Sequence, residues 1–247
     1  MKMTGNTILI TGGNGGIGRG LAEAFLAKGN EVIITGRDKA KLQAAVDANP
    51  GLHAMELDVE NPDAIKAFAE KVTSEFPALN VVVNNAGIMR PETATEASTV
   101  TAEATIATNL LGPIRMTAAL LPHLLAKDAA AVLTVSSGLA FLPRTDFPTY
   151  CATKAAIHSW SQSMRDQLAD TSVQVIELAP PYVQTSLTGD HQASDPNAMP
   201  LADYISETIS LLETKPDAAE ILVGRVEPLR WAERNGNYAE IFANMNG

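Results

Sequence analysis

The run Thr7-Ile8-Leu9-Ile10-Thr11-Gly12-Gly13-Asn14-Gly15-Gly16-Ile17-Gly18 decides the fold. Its first five residues are apolar or β-branched and read as a short strand buried on both faces. Glycines then let the chain turn sharply, and helical periodicity runs from Ile17 to Lys28. A glycine leaves no Cβ between the backbone and a bound pyrophosphate. The free N–H groups opening the helix present partial positive charge to it. Gly12, Gly16 and Gly18 are assigned to this turn, with Asn14 and Ile17 beside the bound nucleotide. A glycine-rich turn on its own is only a flexible loop; its position between a strand and a helix makes it informative.

Outward from that turn the chain alternates. Strands are predicted at Glu31–Thr35, His53–Leu57, Val81–Asn84, Val132–Val135 and Val173–Leu178. Helices are predicted at Lys39–Ala48, Pro62–Phe76, Ser98–Leu125 and Thr149–Ala169. Apolar strands separated by amphipathic helices imply an α/β fold: a single-domain, Rossmann-like, doubly wound parallel sheet of about seven strands with helices on both faces. The whole chain, 1–247, is expected to form this one domain. After Pro180 the pattern loosens, and 182–215 reads as a substrate loop followed by a lid helix, Leu201–Glu213. A short strand at Glu220–Gly224 and a last helix from about Leu229 to Met245 complete the prediction.

Bulk properties exclude several classes. The chain has 247 residues, 46% hydrophobic, too few for a second full core and too apolar for disorder. A formal charge of −10 disfavours nucleic-acid binding. No apolar run approaches the roughly 18 residues of a membrane span, and Met1 to Asn6 lacks the plan of a signal peptide, so a cytoplasmic location without membrane association is expected. The single cysteine, Cys151, reads as a packing residue. The four histidines show no paired ligand spacing, and no metal is expected.

Tyr150 and Lys154 stand four residues apart on a predicted helix and share a face. An ammonium there would stabilise a phenolate and lower a tyrosine pKa from about 10 toward working pH, as proton exchange with an alkoxide requires. With the spacing Thr11-Gly12-xxx-Gly16-x-Gly18, the segment Asn84-Asn85-Ala86-Gly87, the Tyr150-Cys151-Ala152-Thr153-Lys154 motif and Pro180-Pro181-Tyr182-Val183-Gln184-Thr185, the chain resembles the short-chain dehydrogenase/reductase family. These landmarks fall in the family's order and span residues 7 to about 187.

The resemblance implies an oxidoreductase acting on CH–OH or carbonyl groups, with Tyr150 as general acid or base. It makes Lys154 its electrostatic partner and a nicotinamide-ribose ligand, Ser137 the residue that polarises the substrate oxygen, and Asn109 the holder of a proton-relay water. Ser136 competes with Ser137, and strand alternation lets only one face the site. Asn85, Ala86 and Gly87 are implied along the cofactor ribose, Asp58 and Val59 at the adenine, and Pro180, Val183 and Thr185 at the nicotinamide. The family usually has Pro-Gly where this chain has Pro180-Pro181. Gly36 falls where an acid selecting NAD would stand, and Arg37 follows it; NADP(H) is therefore favoured over NAD(H). In the alternative, Arg37 merely pairs with a surface carboxylate; Asp38 reads as the cap of the next helix. Ser137, Leu139, Phe141, Tyr150, Tyr182 and Leu187 are the expected substrate contacts. Most are apolar, which suggests a small hydrophobic ketone, aldehyde or secondary alcohol. A homodimer or homotetramer is implied, built on the two long helices. A non-catalytic NADP(H)-sensing regulatory protein is the alternative function.

Overall fold

The computed structural model describes residues Met1–Gly247. Seven parallel strands form one sheet: β1 (Thr7–Thr11), β2 (Glu31–Gly36), β3 (Leu52–Glu56), β4 (Leu79–Asn84), β5 (Ala130–Val135), β6 (Val173–Leu178) and β7 (Glu220–Ile221). Their spatial order is β3-β2-β1-β4-β5-β6-β7. Strand order reverses between β1 and β4, so the carboxyl ends of these two strands open a crevice at the switch point.

Alternation along each strand assigns side chains to two cores. Ile8, Ile10, Val32, Ile34, Val81 and Val83 face the layer containing α1 (Gly16–Ala27), α2 (Lys39–Ala48) and α8 (Leu201–Thr214). Leu9, Ile33, Val82 and Val132 face α3 (Pro62–Glu75) and α5 (Gly112–Leu125). Each such side chain leaves water completely or nearly so, which stabilises the fold by about 1.5–3 kcal/mol apiece. Two helix starts are set by capping side chains. Asp38 accepts from Lys41 N at 3.0 Å, as its position before Lys39 implied. Asn61 caps α3, with Pro62 in its first turn.

Three sequence expectations are corrected. The helix expected over Ser98–Leu125 begins only at Val100, as α4 (Val100–Ile106), and reaches α5 through a π-helical turn, Ala107–Leu111. The strand expected at Glu220–Gly224 is only Glu220–Ile221. The last helix, expected unbroken from Leu229 to Met245, is split into α9 (Glu227–Arg230) and α10 (Tyr238–Asn246). The break spans residues 231–237 and contains Gly236, whose φ of +73° is a left-handed conformation that does not continue a helix. The intervening helices are α6 (Pro148–Gln167) and a short α7 (Asp190–Ser194). No helix is long and apolar enough to cross a membrane.

Candidate active site

A cleft of about 890 Å³ lies along the carboxyl ends of the strands. One end is the turn between β1 and α1. Gly12 has φ +65°, and a Cβ there would sit 2.9 Å from Ala86 Cα. Glycine is thus required by both conformation and space. No side chain caps α1 and no acid lies in its first turn, so its leading N–H groups are left for an anion. Gly12, Asn14, Gly16 and Ile17 line the cleft, whereas Gly18 is buried behind it, where a Cβ would collide with the Gly12 carbonyl.

Thr11 and Asn85 fix this turn to β4. Thr11 Oγ1 accepts from Asn85 N at 3.0 Å and from Ala86 N at 3.1 Å. The Asn85 amide donates to Thr11 O at 2.9 Å and to Gly12 O at 3.2 Å. Thr11→Val keeps the shape and strands two N–H groups; unfolding in urea is expected to show a loss of about 2 kcal/mol.

The same end is walled by Arg37, Lys41, Asp58, Val59 and Glu60. Arg37 pairs with Glu60 at 3.0 Å and remains half exposed. Asp58 is turned back to accept from Glu60 N at 3.0 Å. A Cβ on Gly36 would meet the Asn14 side chain at 2.9 Å, so an acidic residue could not occupy position 36 without moving Asn14.

At the other end α6 carries Tyr150 and Lys154 to the floor, both buried. Burial raises the Tyr150 phenol to about 12, although the neighbouring Ser137 pulls the other way. Burial lowers Lys154 to about 8, opposed by the negative charge of Glu177. Lys154 Nζ lies 5.5 Å from the Tyr150 ring centre and donates to Val135 O at 2.8 Å. The acidified tyrosine expected from spacing is therefore not found in the protein alone, where desolvation of the phenolate dominates. Ser137, at the end of β5, accepts from Leu139 N at 3.1 Å, leaving its own hydroxyl proton free to donate. Ser136 also reaches the cleft, but its hydroxyl lies 3.4 Å from Leu178 O, away from Tyr150.

Asn109, in the π-helical turn, does not reach the cleft. Its amide oxygen accepts from Ile88 N at 2.9 Å and its nitrogen donates to Ile88 O at 2.8 Å, which braces the segment after Gly87. Ala86, Gly87, Pro180, Val183 and Thr185 do line the cleft, as do Leu139, Tyr182 and Leu187. Phe141 is a correction. The turn Gly138–Ala140 rotates it out of the cleft and onto the edge of His158, 4.9 Å between ring centres, under the Arg230 guanidinium.

Sequence reading missed part of the wall. Arg225, Pro228, Leu229 and Met245 arrive from the tail, and Asn246 pins that tail to Pro143 O and Thr145 N. It also missed a polar cluster in which ligand atoms of His158, Glu177 and Glu220 lie within 4.8 Å of one another. Arg230 already holds Glu220 through two bonds of 2.7 and 3.0 Å, so this cluster reads as an ion network.

Comparison with known proteins agrees with this arrangement. The family model for short chain dehydrogenase matches residues 6–196. The chain is 43% identical over 252 residues to the uncharacterized oxidoreductase DltE of Bacillus subtilis, covering 100% of this chain and 98% of the relative. A serine dehydrogenase solved in its closed form with NADP+ superposes with a TM-score of 0.78 at 28% identity, covering 87% of this chain and 92% of that one. The 3-ketoacyl-(acyl-carrier-protein) reductase of Brucella melitensis, complexed with NADH, gives a TM-score of 0.80 at 25% identity over 91% of this chain and 100% of that one. A glycine turn at the strand-order reversal, a tyrosine and lysine one helical turn apart, and a match over most of the sequence have one common source: the chain is a member of the short-chain dehydrogenase family.

Proposed function

We propose that this oxidoreductase transfers a hydride between NADP(H) and a small, largely hydrophobic ketone, aldehyde or secondary alcohol. The observation that carries the reading is the convergence of Ser137, Tyr150 and Lys154 on one floor of the cleft, with the Lys154 ammonium 5.5 Å from the buried Tyr150 ring. The uncapped α1 N-terminus and the Gly12–Gly16 turn fit a pyrophosphate, and the segments Asn85–Gly87 and Pro180–Thr185 would hold the ribose and nicotinamide. When bound, the cofactor supplies or accepts the hydride.

The chain's own groups handle the proton. A phenol held up at about 12 is protonated at neutral pH, the form that carbonyl reduction needs. Ser137 donates its free hydroxyl proton to the substrate oxygen and aligns it with Tyr150. Lys154 is mainly an ammonium at pH 7 and offsets the negative charge that Tyr150 acquires on giving up its proton. The segment 182–215 acts as a lid: Tyr182 Oη donates to Asp195 at 3.1 Å, and Gln192 donates to Val183 O at 2.8 Å. The exposed apolar side chains Val100 and Leu125 suit packing against a second copy of the chain.

Oxidation of NADPH against a panel of aliphatic, aryl and sugar carbonyls tests the substrate class. Turnover of small apolar ketones or aldehydes is expected; turnover confined to charged sugars would reject it.

NADP(H) preference rests on Gly36 and Arg37, with Lys41 beside them. An exposed pair such as Arg37–Glu60 is worth at most about 1 kcal/mol, so a doubly charged 2′-phosphate can recruit the guanidinium. Arg37→Ala is expected to weaken NADPH binding by about 10- to 100-fold and NADH binding hardly at all, read by nucleotide-fluorescence titration. Equal weakening of both would remove Arg37 from selectivity.

A further inference from the structure

Lys154 is buried on the floor of the cleft, and its hydrogen bond goes to the neutral carbonyl of Val135. An isolated buried ammonium tends to shed its proton, because desolvation disfavours the charged form. Charge that opposes this must come from nearby, and the sheet register shows where it sits. Thr134 and Val135 on β5 pair with Glu177 and Leu178 on β6. Glu177 therefore stands beside the strand segment that anchors Lys154 Nζ, on the sheet face covered by α6. Contacts from that helix confirm the face: Ser161 bonds Thr134 at 2.8 Å, and His158 Nδ1 bonds Glu177 Oε2 at 2.8 Å. His158 is four residues beyond Lys154, so both project from one side of α6 toward Glu177.

Glu177 is completely buried, and its other oxygen, Oε1, has no hydrogen-bond partner. The charged and titratable groups packed around it are few. From α6 come Lys154, His158 and Arg165; from β7, Glu220; from α9, Arg230. Arg230 is engaged by Glu220 through two bonds, although it also feels the field of Glu177. Arg165 is spent on the carbonyls of Val175 at 2.9 Å and Ala219 at 2.8 Å. No arginine is bonded to Glu177, so its field is left to act on the lysine side.

We propose that Glu177, oriented by His158, is a positioning residue: its buried carboxylate keeps Lys154 protonated behind Tyr150. The device rests on the proposed role of Lys154, but its electrostatic part can be read without turnover. Burying an unpartnered carboxylate oxygen costs stability, and a cleft that needs a cation on its floor gives that cost a purpose.

The test labels lysine Cε with carbon-13, assigns the Lys154 signal by its disappearance in Lys154→Met, and follows it by NMR against pH. Glu177→Gln is expected to move the Lys154 titration down by roughly one pH unit, since a nearby opposite charge has been removed. Glu177→Met, also neutral and of similar volume, gives the same reading should the amide not fold. An unchanged titration in either neutral variant overturns the proposal, whatever the enzyme's substrate. Where turnover is measurable, the neutral variant loses rate at pH 8 far more than at pH 6. Glu177→Asp restores the wild-type profile. A loss equal at all pH values would mean that Glu177 serves packing alone. Absence of turnover in the wild-type protein, with the NMR shift present, would count against the reductase reading and not against this one.

Discussion

Tyr150→Phe is expected to lower turnover by about a thousandfold while leaving nucleotide binding within about twofold of wild type, because a positioned acid contributes on the order of 10²–10⁴ in rate. The substitution deletes one oxygen. The ring stays in its buried place on α6, and the glycine turn proposed for the phosphates lies at the other end of the cleft. Burial of the phenol also predicts the sign of an accompanying change in stability. A tyrosine pushed up to about 12 binds its proton more firmly folded than unfolded, so it adds nothing unfavourable at neutral pH. The phenylalanine variant would lose only the polar contacts of one hydroxyl, at most about 1 kcal/mol. A steady-state assay with a nucleotide titration checks both halves. A variant that kept more than a tenth of wild-type kcat would remove Tyr150 from the proton step.

Lys154→Met is expected to abolish most activity and yet to make the protein more stable at pH 7. Lys154 titrates at about 8 in the fold against 10.5 unfolded, so the folded state bears a cost of about 3 kcal/mol for holding the charge below pH 8. Methionine removes that cost and gives up the bond to Val135 O, worth about 1 kcal/mol. A net gain of about 2 kcal/mol follows. The sign with pH is fixed by linkage. Between about 8 and 10.5 the unfolded lysine holds a proton that the folded one has released, so wild-type stability rises with pH across that window. The advantage of the methionine variant is therefore full below pH 8 and fades by pH 10.5. Urea unfolding of both proteins at pH 7 and pH 10 reads this directly. A variant less stable than wild type at pH 7 would show that the buried ammonium does not carry so large a desolvation cost.

The strands were legible because they are short runs of Val, Ile and Leu covered on both faces, a pattern that few other structures require. The glycine turn and the Tyr150–Lys154 pair were legible because their spacing is local. What escaped was assembled from distant residues. Met245 and Leu229 approach the cleft from the far end of the sequence, and no periodicity announces such a wall. The cluster of His158, Glu177 and Glu220 comes from three elements and has no spacing signature. Phe141 was misplaced because it was assigned to the site with the residues following Ser137, and the turn at Gly138–Ala140 directs it away from the cleft. Gly236 was the visible signal for the broken last helix, as Asn-Gly is a turn dipeptide. The wide turn at Ala107–Leu111 had its signal just beyond it: Pro113 has no N–H to give to the Asn109 carbonyl and so interrupts regular winding there.

That wide turn bears on how the chain tolerates length changes. Adding or deleting one residue in a regular helix swings everything beyond it by ~100°. A π-helical turn holds one extra residue without passing the rotation on, so α4 and α5 keep their own faces on either side of it. Deleting Leu110 would let this stretch wind as uninterrupted α-helix, leaving the flanking faces in place while Asn109 lost its two-way grip on Ile88. A gap placed here between related sequences therefore marks the gain or loss of a brace under the cleft rim, rather than a loop of changed size.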